Sequence, residues 1–200
     1  MLNLGSFIAL LDYIESIMWR KFCGFLLKVM GWKVGEPIVE DDKCIILGAP
    51  HTSIWDFVIS YLYYESIGGN CKCMVKKDFF FPPIGWILRA MGGFPIDRKN
   101  PTAMMRSVIH EMERCEKFHL AIAPEGTRKP IKTWKTGFHL IAKETGVPVY
   151  LGYFDWGRKV VGRGVKVELT DDPKADMKRI QALYEEMKLT GKHPENYITH

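Results

Sequence analysis

Three short clusters along the 200-residue chain hold the side chains best suited to chemistry. The first, at 50–56, reads P-H-T-S-I-W-D; the second, at 92–98, reads G-G-F-P-I-D-R; the third, at 124–128, reads P-E-G-T-R. In the first, His51 and Asp56 are separated by about 500° around a helix, roughly 140° away from sharing one face. With His51 in a loop and Asp56 in the first turn of the following helix, the carboxylate can reach back to the imidazole. Such a contact fixes the tautomer and raises the basicity of the free nitrogen, which is what a general base needs. A simpler account also fits. Ser53-x-x-Asp56 matches a capping box, which satisfies a helix N-terminus without catalysis and leaves His51 an ordinary loop histidine. Spacing alone leaves both readings open.

Gly126-Thr127-Arg128 turns the chain after an apolar run, where backbone N–H groups and a guanidinium can meet an anion. From 126 to 143 there are five cations, Arg128, Lys129, Lys132, Lys135 and Lys143, and no acid. A solvated charged face explains such a run equally well. Arg98 also fits a lone surface cation, and Glu125 a turn residue or salt-bridge partner. The chain carries +5 at pH 7, of which +4 falls in its second half. This balance admits an anionic partner, whether phosphate, membrane surface or acidic protein, and is too small to argue for nucleic acid.

Other chemistries lose their support. No G-x-x-x-x-G-K-[ST], G-x-G-x-x-G or G-x-S-x-G is present, which weakens kinase, nucleotide-dependent oxidoreductase and α/β-hydrolase readings. His110, His119, His139, His193 and His200 show no metal-ligand spacing, and Cys71 and Cys73 form C-x-C without a matching pair, so no metal is expected. With Cys23, Cys44 and Cys115 they read as reduced, packed thiols of a cytosolic chain.

The elements that must position these clusters follow from hydrophobic patterning. Strands are expected near 44–47, 72–76, 94–96, 120–123, 147–154 and 165–169, and helices near 54–67, 84–91, 101–115, 135–145 and 173–189. This alternation predicts an α/β fold: a single-domain sandwich with a mostly parallel central sheet flanked by helices. A Gly/Arg-rich hairpin near 155–164 adds an antiparallel edge. All three clusters fall at the carboxyl ends of expected strands, where ligands gather on parallel sheets.

Ahead of this catalytic unit at 33–200, residues 1–32 read as an amphipathic helix. Leu4, Phe7, Ile8, Leu11, Ile14, Met18, Phe22, Phe25, Leu26 and Val29 recur at helical spacing. Such a helix covers a core edge, or lies in a membrane interface with Trp19 at headgroup level and Arg20, Lys21 and Lys28 near anionic lipid. No window is long and apolar enough to span a bilayer, and no charged leader or small-residue cleavage site marks a signal peptide.

Taken in order, these blocks resemble the glycerolipid acyltransferase family that contains 1-acyl-glycerol-3-phosphate acyltransferase. Its H-x-x-x-x-D is matched by His51 and Asp56, its downstream Gly/Arg block by 92–98, and its E-G-T-R by Glu125, Gly126, Thr127 and Arg128. Its K-x-G segment appears as Lys135-Thr136-Gly137 and its V-P-[VI] strand as Val147-Pro148-Val149. Pro50 replaces the Asn that often precedes the histidine, and Ala123 the Phe that often precedes the E-G-T-R block. The likeness covers roughly 44–155.

The resemblance implies transfer of a fatty acyl group from acyl-CoA or acyl-carrier protein to a hydroxyl of a lysolipid, 1-acyl-glycerol-3-phosphate first among acceptors. An amino-acid lipid or glycolipid acceptor, a thioesterase or lipid hydrolase, and a non-catalytic lipid-binding module are the alternatives. His51 becomes the general base and Asp56 its orienting carboxylate. Arg98 and Arg128 hold an acceptor phosphate, Lys135 adds positive field, Glu125 orders the pocket, and a backbone N–H near Gly126 meets the oxyanion. No resident cofactor is implied. The chain is expected to work peripherally, from the cytoplasmic face of a membrane.

Overall fold

The strand that carries the first cluster, β2 (Lys43–Ala49), alternates its side chains between two cores. Ile45, Leu47 and Ala49 point into one, Cys44 and Ile46 into the other. Burial on both faces is the demand made on a central parallel strand. Its neighbours, β5 (Phe118–Ile122) and β6 (Val149–Asp155), both run parallel to it. Beyond β5 lie β3 (Cys71–Lys76) and then β4 (Gly93–Ile96), also parallel. Beyond β6 lies β7 (Val160–Val167), antiparallel, and outside it β1 (Lys33–Val34). The sheet order is β1-β7-β6-β2-β5-β3-β4. This is a computed structural model, describing residues 4–97 and 99–199, with side chains from Tyr13 onward.

Helices α1 (Leu4–Val29) and α2 (Ile54–Ser66) contribute Cys23, Leu27, Ile59 and Leu62 to the core on one face. Helices α4 (Pro101–Arg114), α5 (Gly137–Thr145) and α6 (Pro173–Glu186) contribute Val108, Phe138, Ile141 and Ile180 to the other. The short α3 (Ile84–Ala90) lies between β3 and β4 in the chain. β2 thus feeds a helix on one face, while its neighbour β5 feeds α5 on the opposite face. The chain parts between two adjacent parallel strands, and the carboxyl ends of such a pair are where open α/β sheets carry their ligands.

The α/β sandwich expected from the pattern is the fold observed, with two refinements at its edge. β7 begins at Val160, five residues before the expected strand, because glycine disguises its start. Gly162 admits the Tyr153 ring, whose hydroxyl would come within 2.6 Å of any Cβ there. Two residues long, β1 carries no periodicity to read, yet it forms the outermost strand beside the hairpin.

Helix α1 is apolar on two sides. Cys23 and Leu27 are fully buried, whereas Ile14, Met18, Phe22, Phe25 and Val29 are exposed. At about 100° per residue the exposed five fall in a stripe roughly 80° wide, with Lys21 and Lys28 beside it. Among the described residues no helix is long and apolar enough to cross a membrane.

Candidate active site

Ser53 is the N-cap of α2, its Oγ accepting from the Trp55 amide at 3.3 Å. Asp56, three residues on, returns its Oδ2 to the Ser53 amide at 2.6 Å and to the Thr52 amide at 2.7 Å. The capping box is therefore formed. The same Oδ2 lies 3.5 Å from His51 Nδ1, within ion-pair reach and longer than a formed hydrogen bond. The two readings of this stretch are geometrically compatible, because the carboxylate that caps the helix also faces the imidazole. Its other oxygen, Oδ1, accepts from the indole Nε1 of Trp156 at 2.7 Å. Asp56 is only 1% exposed, so these three N–H donors replace the water it has lost. His51 keeps about a quarter of its side chain in solvent, 24%. With Nδ1 turned to Asp56, Nε2 is left for a substrate.

Glu125 follows β5 and is buried. Both its oxygens accept from the His51 amide, at 3.0 and 2.9 Å. A carboxyl group from the adjacent strand end thus ties down the loop that carries the imidazole. Burial pushes the Glu125 pKa up to about 8; the Asp56 charge acts in the same direction and the His51 N–H against it.

The turn after Glu125 is closed by the Lys135 amide donating to the Pro124 carbonyl at 2.7 Å. Gly126 takes a φ of +67°, and its open Cα accepts the Lys135 stem, whose Cγ would stand 3.2 Å from an added Cβ. Lys135 and Thr127 are thereby held at the turn, and Thr127 Oγ1 accepts from the Lys129 amide at 3.2 Å. The N–H of Gly126 is spent on the Ala123 carbonyl at 3.0 Å. An oxyanion donor from this turn must therefore come from Thr127 or Arg128 and not from Gly126 itself. Arg128 is exposed at the turn. Lys143 is turned away, paired with Asp171 at 2.8 Å. Arg98 lies outside the described residues; beside it, Asp97 is held by Lys77 at 2.6 Å and by the Lys99 amide at 2.9 Å.

Two further histidines serve the scaffold. His119 sits between the Tyr64 hydroxyl and the Asp41 carbonyl, and His139 bonds Asp176 and the Thr170 carbonyl, both at 3.1 Å. Among the described residues no group of three or more His, Cys, Asp or Glu side chains could hold a metal ion. The sequence reading missed Trp156 and the segment 190–193, which touches the His51 loop. No motif announces them; the one available cue is that Trp156 directly follows a strand adjacent to β2.

A mostly parallel α/β sheet with a histidine and a buried carboxyl group at the ends of two adjacent strands defines a class of protein that the comparisons make specific. The family described as Acyltransferase matches residues 33–151, and the chain belongs to that family. Over 116 residues it is 34% identical to a 1-acyl-sn-glycerol-3-phosphate acyltransferase of Streptococcus pneumoniae, covering 57% of this chain and 42% of that protein. Over 140 residues it is 26% identical to a protein of the same name from Pseudomonas aeruginosa, covering 66% and 53%. The chain thus spans about half the length of these relatives. The 1-acyl-sn-glycerophosphate acyltransferase PlsC of Thermotoga maritima shares the fold, with a TM-score of 0.60 over 86% of this chain and 78% of its own, at 19% identity.

The raised Glu125 pKa has a consequence for stability. Between its usual 4.5 and about 8 the folded chain keeps a proton on Glu125 that the unfolded chain has lost. Unfolding releases that proton, so stability falls as pH rises through this window. Glu125→Gln keeps an acceptor for the His51 amide and removes the titration. Thermal melts at pH 5 and pH 8 should show a smaller decline in the variant than in the parent, and equal declines would refute a buried, neutral Glu125.

Proposed function

We propose that this chain is an O-acyltransferase that moves a fatty acyl group from acyl-CoA or acyl-carrier protein to a lysolipid hydroxyl, with 1-acyl-glycerol-3-phosphate as acceptor. The observation that carries the reading is the approach of His51 Nδ1 to the buried Asp56 at the carboxyl end of β2. The names of the S. pneumoniae and P. aeruginosa relatives support the choice of acceptor.

In this mechanism His51 Nε2 takes the acceptor's hydroxyl proton as its oxygen bonds to the thioester carbonyl carbon. The carbonyl π-electrons move onto oxygen, giving a tetrahedral oxyanion held by the amide N–H of Thr127 or Arg128. Collapse re-forms the carbonyl and breaks the C–S bond. The departing thiolate takes the proton from the imidazolium, leaving an ester, a thiol and neutral His51. Asp56 holds the ring and stabilises its charged form. A thioester is already activated, so no acyl-enzyme and no resident cofactor are drawn on. Arg128 and Arg98 hold the acceptor phosphate as charge-assisted donors, with Lys135 adding positive field. Glu125, Gly126 and Thr127 shape the loop and turn.

Substrates with long acyl chains are met at a bilayer, and the exposed stripe of α1 suits that surface. Lys21 and Lys28 beside it would each gain about 1 kcal/mol near anionic lipid. A second exposed group, Phe79, Phe81, Trp86 and Ile87, follows β3 and is a further candidate for contact with the cytoplasmic leaflet.

The test of the activity is a panel of lysolipid acceptors against one labelled thioester, with product mass and thiol release read together. Thiol release that needs no acceptor would identify a hydrolase instead. His51→Ala should lower kcat by about 10²–10⁴-fold with an unchanged melting temperature, and retained turnover would remove the base assignment. Arg128→Ala should raise the KM for a phosphate-bearing acceptor about tenfold, the loss of one charge-assisted hydrogen bond, with the donor KM unmoved. Equal changes in both constants would refute the phosphate role. Removing α1 would strip Cys23 and Leu27 from the core, so the membrane assignment is better tested by Phe22→Glu with Phe25→Glu. That double variant should float less with anionic vesicles while keeping its far-UV circular dichroism; undiminished flotation would return the stripe to a role elsewhere.

A further inference from the structure

We propose that Trp156, steadied by Lys192, is a positioning residue for the transfer reaction, and that the segment after the last helix is thereby part of the active-site framework. The inference rests on the reading of His51 and Asp56 given above and adds a third member to the pair.

The argument begins with the two oxygens of Asp56. Oδ2 accepts from two loop amides and faces His51. Oδ1 is equally buried and would be left without a donor were it not for the Trp156 indole at 2.7 Å. A buried carboxylate oxygen without a donor is costly, and the side chain would turn to find one. Turning it would withdraw Oδ2 from the imidazole. The indole N–H therefore commits one oxygen of Asp56 and so fixes the direction of the other. It acts on the histidine only through Asp56.

A positioning group must itself be held, and Trp156 is held on every side. Asp155 Oδ1 accepts from the Gly157 and Arg158 amides at 2.9 and 3.1 Å, folding the chain sharply at this residue. The Trp156 amide donates to the Thr190 carbonyl at 2.8 Å. Trp32 meets the indole edge to face, with 4.9 Å between ring centres. Lys192 Nζ lies 4.8 Å from the Trp156 ring and 5.0 Å from the Trp55 ring, a cation between two aromatic faces.

The same segment reaches the other side of the loop. The His193 amide donates to Thr52 Oγ1 at 3.2 Å, and the Thr52 amide is itself one of the donors to Asp56. Gly191 makes this approach possible, because a Cβ there would fall 2.8 Å from Thr52 Cγ2. Residues 190–193 thus grip the carboxylate's surroundings twice, through Trp156 and through Thr52. Neither contact touches a substrate, so their loss should appear in the chemical step and not in binding.

The experiment is Trp156→Phe in the full chain, which keeps an aromatic ring and removes the N–H together with the pyrrole half of the indole. The expected result is a fall in kcat of about 10–100-fold, the scale of a small misplacement of a reacting group, with both KM values within about threefold of the parent. An indole N–H resonance in the ¹⁵N-labelled protein should vanish in this variant and shift in Asp56→Asn. Unchanged kcat, or KM values rising in step with the loss, would overturn the proposal. If Trp156→Phe fails to fold, Lys192→Met decides. A lower kcat at constant KM with a moved Trp156 resonance supports the assignment, and a parental rate with an unmoved resonance sinks it. His51→Ala separates the two levels: if it retains turnover, both readings fall, and if it alone is inactive while Trp156→Phe is not, only this one does.

Discussion

A carboxylate with almost no solvent exposure is the constraint around which this site is arranged. Burying Asp56 removes its hydration, and an uncompensated buried charge costs several kcal/mol. The chain compensates with amides from the loop before α2 and an indole from the end of β6. Each donor comes from the carboxyl end of the sheet, so the arrangement depends on β2 and β6 being adjacent, parallel and in register. Glu125, from the strand end on the other side of β2, then fixes the histidine's own backbone. The imidazole is thus bracketed by two carboxyl groups with different environments. Asp56 is satisfied by donors, whereas Glu125 is buried enough to stay protonated near neutral pH. One faces the ring and the other only the main chain, which separates orientation from anchoring.

Much of this was legible in the sequence, and the parts that were not fail for identifiable reasons. A continuous apolar run, 44–47, gave β2 and a helical stretch gave α2, so the loop between them, with His51 in it, was found from pattern alone. The capping box and the catalytic pair looked like competing explanations because each seemed to need the whole carboxylate. A carboxylate oxygen accepts from more than one direction, and Oδ2 of Asp56 caps the helix while facing the imidazole. Trp156 could not be read at all, since its partner is one hundred residues away in the chain and tryptophan after a strand is most simply a packed side chain. The start of β7 was hidden by the glycines that let Tyr153 lie across it. The cation run after Glu125 was read as one patch, yet Lys143 belongs to an ion pair with Asp171. Sequence order groups charges that helix geometry then separates.

Helix α1 shows the opposite case, in which two readings were offered and both faces exist. Its inner face supplies Cys23 and Leu27 to the core shared with α2, and its outer face carries a second apolar stripe. The family match covers 33–151, and α1 lies before it, packed by its inner face against the matched region.

The long-range character of the contacts around Asp56 also orders events during synthesis. The capping box is local and can form as soon as 52–56 leave the ribosome. Glu125 follows some seventy residues later and Trp156 a hundred later, with Lys192 later still. A growing chain therefore carries its histidine long before it carries the groups packed around Asp56. The loop at 50–56 spends most of synthesis without the distant partners that bury it, and its surroundings close only once residues 190–193 have been added.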